Sequence, residues 1–359
     1  MKETYTPAEL KTFIIDIFSK IGCKREDAQT LAEVLVAAEL RGIPSHGMMR
    51  VKDYIGMWEA ERINVDPKPA IVHETPSTAT VDGDSAYGMV AAKYAMQVAM
   101  DKAKTCGTGW VATNNSNHFG IAGYYSMMAL EEDMIGIAMT NANALVAPTL
   151  SKSRLLGTNP IAVAIPAKKH PAFIADFATS PIARGKLAIM GKKGEVAPEG
   201  YVQDADGKPS TDPDIITRGG AILPLGSDYA HGSHKGYCMS ALVDIFSAVF
   251  SGANFGPFVP PQVPYLPLKD EKVGTGLGHF FGAMRIDAFQ SADVLKERMD
   301  SWIDTFKAAK PAEGQERVYI PGEIEREKEA YHQKNGISLL PQIHEDLMQQ
   351  ATKYNIAFE

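Results

Sequence analysis

The chain has 359 residues, of which 45% are hydrophobic and 22% charged, the balance of a soluble globular protein large enough for a sizeable core. Its net charge of −7 offers no basic field for nucleic acid or an anionic membrane, so an anionic substrate needs a local cationic pocket. Three scattered cysteines (Cys23, Cys106, Cys238) make neither a disulfide framework nor a zinc ribbon. The start lacks the apolar core of a signal peptide, and Met239 to Phe250, broken by Asp244, is too short to span a bilayer, so a reducing, cytoplasmic setting is expected.

Thr6-Pro7-Ala8-Glu9 is a capping box with proline at the first helical position. Leu10, Phe13, Ile14, Ile17, Phe18 and Ile21 then share one face before Gly22. A second helix is predicted over about 25–41, with Leu31, Val34, Leu35 and Ala38 inward and Gly42 as its stop. After a break at Ile43 to Gly47, a third helix carries Val51, Tyr54, Ile55 and Trp58.

From Pro67 the pattern alternates. Short strands are expected at 70–72, 79–81, 109–113, 135–140, 161–165, 172–175 and 279–286. Helices are expected at about 88–104, 122–132, 235–250 and 291–308. Residues 191–217, rich in Gly, Pro, Asp and Lys, read as an exposed excursion. Two last helices fall at about 322–335 and 341–354. The fold class is α/β, a layered core over 67–310. Helices from 1–66 and 311–359 pack together beside it as a separate helical part.

The strand–GxGxxG–helix dinucleotide signature is absent. Gly274-Thr275-Gly276-Leu277-Gly278 precedes a strand instead and reads as a tight loop. Other segments carry chemistry. Ser45-His46-Gly47-Met48-Met49-Arg50 places a hydroxyl, an acid/base group and an anion clamp within six residues, the planar fork of Arg50 matching a carboxylate. Ser45 capping the third helix, with His46 and Arg50 as surface groups, is the plainer reading.

Asn114-Asn115-Ser116-Asn117-His118-Phe119-Gly120 follows a strand and precedes a helix, where α/β sites are built. His118 there suits proton transfer, and an Asn-rich turn with an exposed His is the alternative. Asp176-Phe177-Ala178-Thr179-Ser180 also ends a strand. Asp176 either orients a histidine or a nicotinamide ribose or caps a helix near Ile182, and the hydroxyls of Thr179 and Ser180 suit an amide. His231 and His234 lack a third ligand of suitable spacing, so metal is rejected. His234 and Lys235 open a helix and suit a pyrophosphate. Pro321, Gly322 and Glu323 also lead into a helix, or simply mark its start.

Together these segments resemble the malate/lactate/ureidoglycolate/sulfolactate dehydrogenase-like family. SHGMMR at 45–50, NNSNHFG at 114–120, LLGTNPIAVAIP at 155–166 and ADFATS at 175–180 carry the likeness. HKGYCMSALVDIFSAVFSGA at 234–253, GHFFGAMRID at 278–287 and VYIPGE at 318–323 complete it, in order from end to end.

The resemblance implies a non-Rossmann α/β fold, a homodimer, and interconversion of 2-hydroxy and 2-oxo acids with NAD or NADP. Malate is the first substrate expected. Lactate, ureidoglycolate, sulfolactate, 2,3-diketogulonate or a cyclic imino acid are alternatives, and a non-catalytic binding protein is the alternative of another class. It further implies that His118 is the proton acceptor and that His46, the proton donor in other members, polarises the substrate oxygen or holds a second carboxylate. Arg50 takes the substrate carboxylate, with Ser45 beside it and Arg184 the next candidate. Asp176 to Ile182, His234-Lys235 and Pro321 to Glu323 serve the nicotinamide cofactor. The site is expected in a cleft between helical part and core.

Overall fold

A computed structural model describes residues 4–358. Helix α1 (Pro7–Lys20) begins at the expected box: the Thr6 hydroxyl accepts the Glu9 amide at 3.2 Å, and a Glu9 carboxylate oxygen accepts the Thr6 amide at 2.8 Å. Helix α2 (Arg25–Leu40) packs against it through Leu31, Val34 and Leu35, all fully buried. Two single 3₁₀ turns, Pro44–His46 and Met48–Arg50, separate α2 from α3 (Val51–Glu59).

Strands β1 (Ala70–Glu74) and β2 (Thr78–Asp82) form a hairpin. Helix α4 (Gly88–Cys106) then crosses over to β3 (Thr108–Ser116), which lies parallel to β2. Helix α5 (Ala122–Met128) leads to β4 (Met134–Thr140), followed by β5 (Ile161–Ile165) and β6 (Phe173–Phe177). After α6 (Arg184–Lys193) come three two-residue strands, β7 (Val202–Gln203), β8 (Pro209–Ser210) and β9 (Ala221–Ile222). Helix α7 (Ser233–Asp244) continues into a π-helical turn at Ile245–Val249, and β10 (Leu277–Arg285) precedes α8 (Ala292–Lys307), α9 (Glu323–Asn335) and α10 (Pro341–Tyr354).

The main sheet has seven strands in the order β1-β2-β3-β10-β4-β5-β6, antiparallel except for β2 and β3. Its central strand is β10, inserted between β3 and β4 although it lies far along the chain. Leu277 to Ala283 of β10 are buried without alternation, as a strand covered on both faces requires. The seven main strands all fall on the segments read as strands from the sequence.

Both chain ends meet beside this sheet. Tyr5 and Ile337 exchange backbone hydrogen bonds of 2.9 and 2.8 Å, and Phe358 stacks on Tyr5 with ring centroids 5.0 Å apart. One continuous apolar core runs from Leu10 and Leu347 in the helices to Val81 and Phe281 in the sheet. Residues 191–217 are largely exposed, but they also fold: Ala197, Val202 and Ile215 join Val146, Leu156 and Ile222 in a small second core.

Candidate functional site

The loop between α2 and α3 is shaped from beneath. Glu39, 4% exposed, accepts the Met48 amide at 2.7 Å. Its carboxylate fills the space under Gly47, where a Cβ would lie 2.3 Å from Oε1. Residue 47 is therefore glycine because its neighbour is a buried acid. Ser45 does not cap α3. Its hydroxyl lies 3.0 Å from His46 Nδ1, and its carbonyl accepts Arg50 Nε at 2.8 Å. Arg50 also reaches Asp53 at 3.0 Å.

The second wall comes from the end of β3. Each asparagine there ties the backbone down: Asn115 Nδ2 donates to Asp82 at 2.8 Å, Asn114 Nδ2 to the Ser251 carbonyl, and Asn117 Nδ2 to the Ala86 carbonyl at 2.9 Å. Asn115 adopts a left-handed φ of 49°, which asparagine tolerates better than most residues. Gly88, at the start of α4, lies so close that a Cβ would fall 2.0 Å from the Asn117 carbonyl oxygen. His118 is thus held rigidly rather than in a solvent turn.

Ser45, His46, Arg50 and His118 line one cavity of about 90 Å³, together with Gly120, Thr140, Asn143, Thr158, Arg184 and Gln262. The two imidazoles stack with centroids 5.5 Å apart. Tyr54, which periodicity marks only as an inward apolar position, places its hydroxyl 2.6 Å from His118 Nδ1. The signal for it was its spacing of four from Arg50, which returns to the same side of the helix. Thr140, also missed, lies 2.7 Å from Nδ1 of the fully buried His279, whose Nε2 meets the Ser116 hydroxyl at 2.7 Å.

Burial sets the protonation states. It pushes His46 down to about 3, with the charges of Arg50 and Lys186 adding to the effect. It drives His118 well below the ordinary histidine value, helped by His46 and Arg50. Tyr54 is pushed the other way, above the usual phenol range. Both imidazoles are neutral and Tyr54 keeps its proton, so the pocket holds bases beside a fixed cation.

A second cavity, of about 440 Å³, is lined by Arg41, Ile43, Asp176, Phe177, Tyr319, Pro321, Gly322 and Glu325. Asp176 does not orient a histidine, and it caps no helix near Ile182. Oδ2 accepts the Gly123 amide at 2.8 Å, in the first turn of α5. The residue is reached from the open cleft, yet its carboxyl is packed by protein behind. This desolvation raises it to about 6, against the pull of the Gly123 amide and Arg41.

Thr179 and Ser180 are buried and their hydroxyls are already engaged. Thr179 donates to the Thr158 and Asn159 carbonyls at 3.1 and 3.0 Å, and Ser180 to that of Ile182 at 3.1 Å. They shape the segment rather than offering free hydroxyls to an amide. Ala178, half-buried, follows Phe177 in the chain.

Segment 176–185 connects the two cavities, starting with Asp176 and Phe177 in one and ending with Ala183 to Gly185 in the other. Glu323 stands just outside the second cavity, paired with Lys307 and accepting the Ile320 amide at 2.9 Å. His234 and Lys235 are exposed in the first turn of α7, and the loop before that helix is tied to the same segment by the Leu225 amide, which donates to the Thr179 carbonyl at 3.1 Å. His234 sits against Tyr229 and does not enter the first cavity.

An extended dinucleotide fits these features. The exposed face of Phe177 and the apolar Ile43, Ile324 and Pro321 suit a flat ring, Asp176 suits ribose hydroxyls, and the connecting segment leads to the histidines.

The model of the malate/L-lactate dehydrogenase family matches residues 5–348. Malate dehydrogenase of Pyrococcus abyssi is 42% identical over 316 residues, covering 88% of this chain and 85% of that protein. L-sulfolactate dehydrogenase of Methanocaldococcus jannaschii is 39% identical over 353 residues, 98% of each chain. The crystal structure of malate dehydrogenase from Entamoeba histolytica superimposes with a TM-score of 0.93 at 34% identity, covering 100% of this chain and 99% of that one. With its non-Rossmann mixed sheet, its paired histidines and these matches along nearly its whole length, the chain belongs to the malate/L-lactate dehydrogenase family.

Proposed function

We propose that the protein is an NAD(P)-dependent dehydrogenase that interconverts a 2-hydroxy acid and a 2-oxo acid, with malate as the first substrate to test. The observation that carries this reading is that Arg50 and His118, from separate layers of the fold, border one small cavity. Relatives named for malate and for sulfolactate support the substrate class.

Arg50 holds the C1 carboxylate. Its Nε and one terminal nitrogen are fixed by Ser45 and Asp53, which aims the rest of the fork before the substrate arrives. His118 takes the hydroxyl proton when the acid is oxidised and returns it on reduction. Nδ1 lies 2.6 Å from the Tyr54 oxygen and 3.4 Å from the Gly120 amide, which donates to it; proton transfer uses the tautomer that leaves Nε2 free as the base of the ring. Tyr54 then steadies the imidazolium that forms, and its own raised pKa keeps it from taking the proton. A bound substrate anion offsets the field of Arg50 and makes His118 more basic at the moment it is needed. His46, neutral and stacked on His118, polarises the substrate oxygen. Asp176, Phe177 and Pro321 to Glu323 around the second cavity, with His234 and Lys235 for the pyrophosphate, would hold the cofactor, which when bound would supply the hydride acceptor or donor.

The working form is a homodimer. Tyr237, Leu242, Ile245, Val249 and Phe250 expose apolar surface along α7 and its π turn, a face suited to an identical partner. Light scattering showing a monomer at micromolar concentration would remove this part of the proposal. A cytoplasmic setting accords with three free cysteines. No helix among the described residues is long and apolar enough to cross a membrane.

The direct test is an absorbance assay of NADH and NADPH oxidation with a panel of 2-oxo acids. Turnover of oxaloacetate or a close relative is expected. Cofactor binding without turnover of any of them would favour a non-catalytic protein.

A further inference from the structure

The charges around the first cavity do not balance. Arg50 and Arg184 line it, and Lys186 acts on His46 from nearby. Among the described residues, Arg50 pairs with Asp53 at 3.0 Å, whereas Arg184 and Lys186 make no ion pair. Asp53 feels Arg184 only across space. The one hydrogen bond described for the Arg184 side chain is a long one, 3.4 Å to the Tyr265 hydroxyl. Both histidines are neutral. Three cations against one carboxylate leave two positive charges beside the cavity, in a chain whose net charge is −7.

The two guanidinium groups also enter from different walls. Arg50 stands on the loop before α3, and Arg184 is the first residue of α6, beyond the end of β6. The walls are close: a Cβ on Gly185 would lie 3.5 Å from Ser45 Cβ and 3.8 Å from an Arg50 terminal nitrogen. A substrate held by Arg50 at one end therefore has a second guanidinium within reach of its other end. Asn143 and Gln262 supply neutral donors on the same lining. A planar fork with no ion-pair partner among the described residues matches a carboxylate or a sulfonate.

We propose that Arg184 is the specificity-determining residue of this pocket and holds the distal anionic group, carboxylate or sulfonate, of a dianionic 2-hydroxy or 2-oxo acid whose C1 carboxylate lies on Arg50. The assignment rests on the dehydrogenase reading above and narrows it. Acids with a second negative charge are preferred, and monoanionic acids such as lactate and pyruvate are poor substrates because they leave Arg184 without a partner.

The test compares oxaloacetate, 3-sulfopyruvate and pyruvate as substrates of the wild type, Arg184→Gln and Arg184→Lys, with each reduced cofactor. The wild type is expected to favour the two dianions. Arg184→Gln should lower kcat/KM for them by roughly 100-fold, mainly through KM, as loss of a charge-assisted contact does, while pyruvate changes by less than about threefold. Arg184→Lys should fall between.

Equal losses for all three acids would overturn the proposal, as would a wild type that prefers pyruvate. Should Arg184→Gln fail to fold, an unchanged preference in Arg184→Lys would overturn it as well. Thermal shift with L-malate against L-lactate separates this claim from the dehydrogenase reading. Stabilisation by malate that depends on Arg184, in a protein without turnover, would uphold the pocket assignment and sink the dehydrogenase. Absence of any malate-specific shift would overturn the assignment whether or not turnover is seen.

Discussion

The Tyr54 hydroxyl lies 2.6 Å from Nδ1 of His118, so the histidine that faces the anion-binding arginine is oriented by a phenol from the adjoining helix. Removing that oxygen leaves the ring packed but takes away the acceptor for the imidazolium. Tyr54→Phe should therefore lower kcat/KM for hydroxy-acid oxidation by roughly tenfold, the effect of one lost hydrogen bond of about 1.5 kcal/mol. Its melting temperature should stay near that of the wild type. Unchanged kinetics would mean that the contact is packing alone.

The pH dependence follows from the depressed imidazoles. A lowered pKa keeps His118 in its neutral, proton-accepting form below the ordinary histidine range, so kcat/KM for oxidation should show no histidine break near the ordinary value of about 6.5. Reduction needs the protonated ring, whose population falls about tenfold per pH unit above its pKa. Initial rates should then give flat oxidation and steadily declining reduction between neutral and alkaline pH. A bell centred on the ordinary histidine value would contradict these protonation states.

Arg50 is fixed on one side by Ser45 and Asp53. A lysine keeps the charge and loses the fork, so Arg50→Lys should raise KM for the acid by roughly tenfold or more. Titrations with reduced cofactor alone should match the wild type. If KM stays put, the C1 carboxylate is held by another group.

Glu39 is a buried acid beneath the same loop, and burial raises it to about 7, opposed by the Met48 amide. Its folded-state pKa lies above the unfolded value, so its favourable contribution is complete below about pH 4.5 and is lost as pH rises through about 7. The loss is on the order of 3 kcal/mol. Gln keeps an acceptor for Met48 without the charge. Glu39→Gln should melt higher than the wild type at pH 8, and the difference should vanish near pH 5. A difference that does not vary with pH would show that folding does not shift the Glu39 pKa.

Local signals in the chain reached the elements and two of the site's loops, because helix periodicity, capping residues and strand-end polar clusters are short-range properties. Pairing is not. Nothing near Leu277 announces that β10 lies between β3 and β4, since that follows from how distant apolar faces are covered. The small second core escaped for a related reason: β7, β8 and β9 are two residues each, too short for any alternation to register. Glu39 sits at a helix end where a charge reads as solvent-facing, and only the returning loop buries it. Thr179 and Ser180 look like ligand donors in a strand-end motif, and only the fold shows that backbone carbonyls already claim them.

The division of labour between the two histidines is the centre of this account, and turnover of single variants measures it. In His118→Ala, kcat with oxaloacetate should fall by about 100-fold or more, the usual contribution of a general acid/base group, with the dissociation constant of reduced cofactor nearly unchanged. His46→Ala, which removes a polarising group rather than the proton carrier, should lose less. A larger loss of turnover in His46→Ala than in His118→Ala would contradict the account and reverse the two roles.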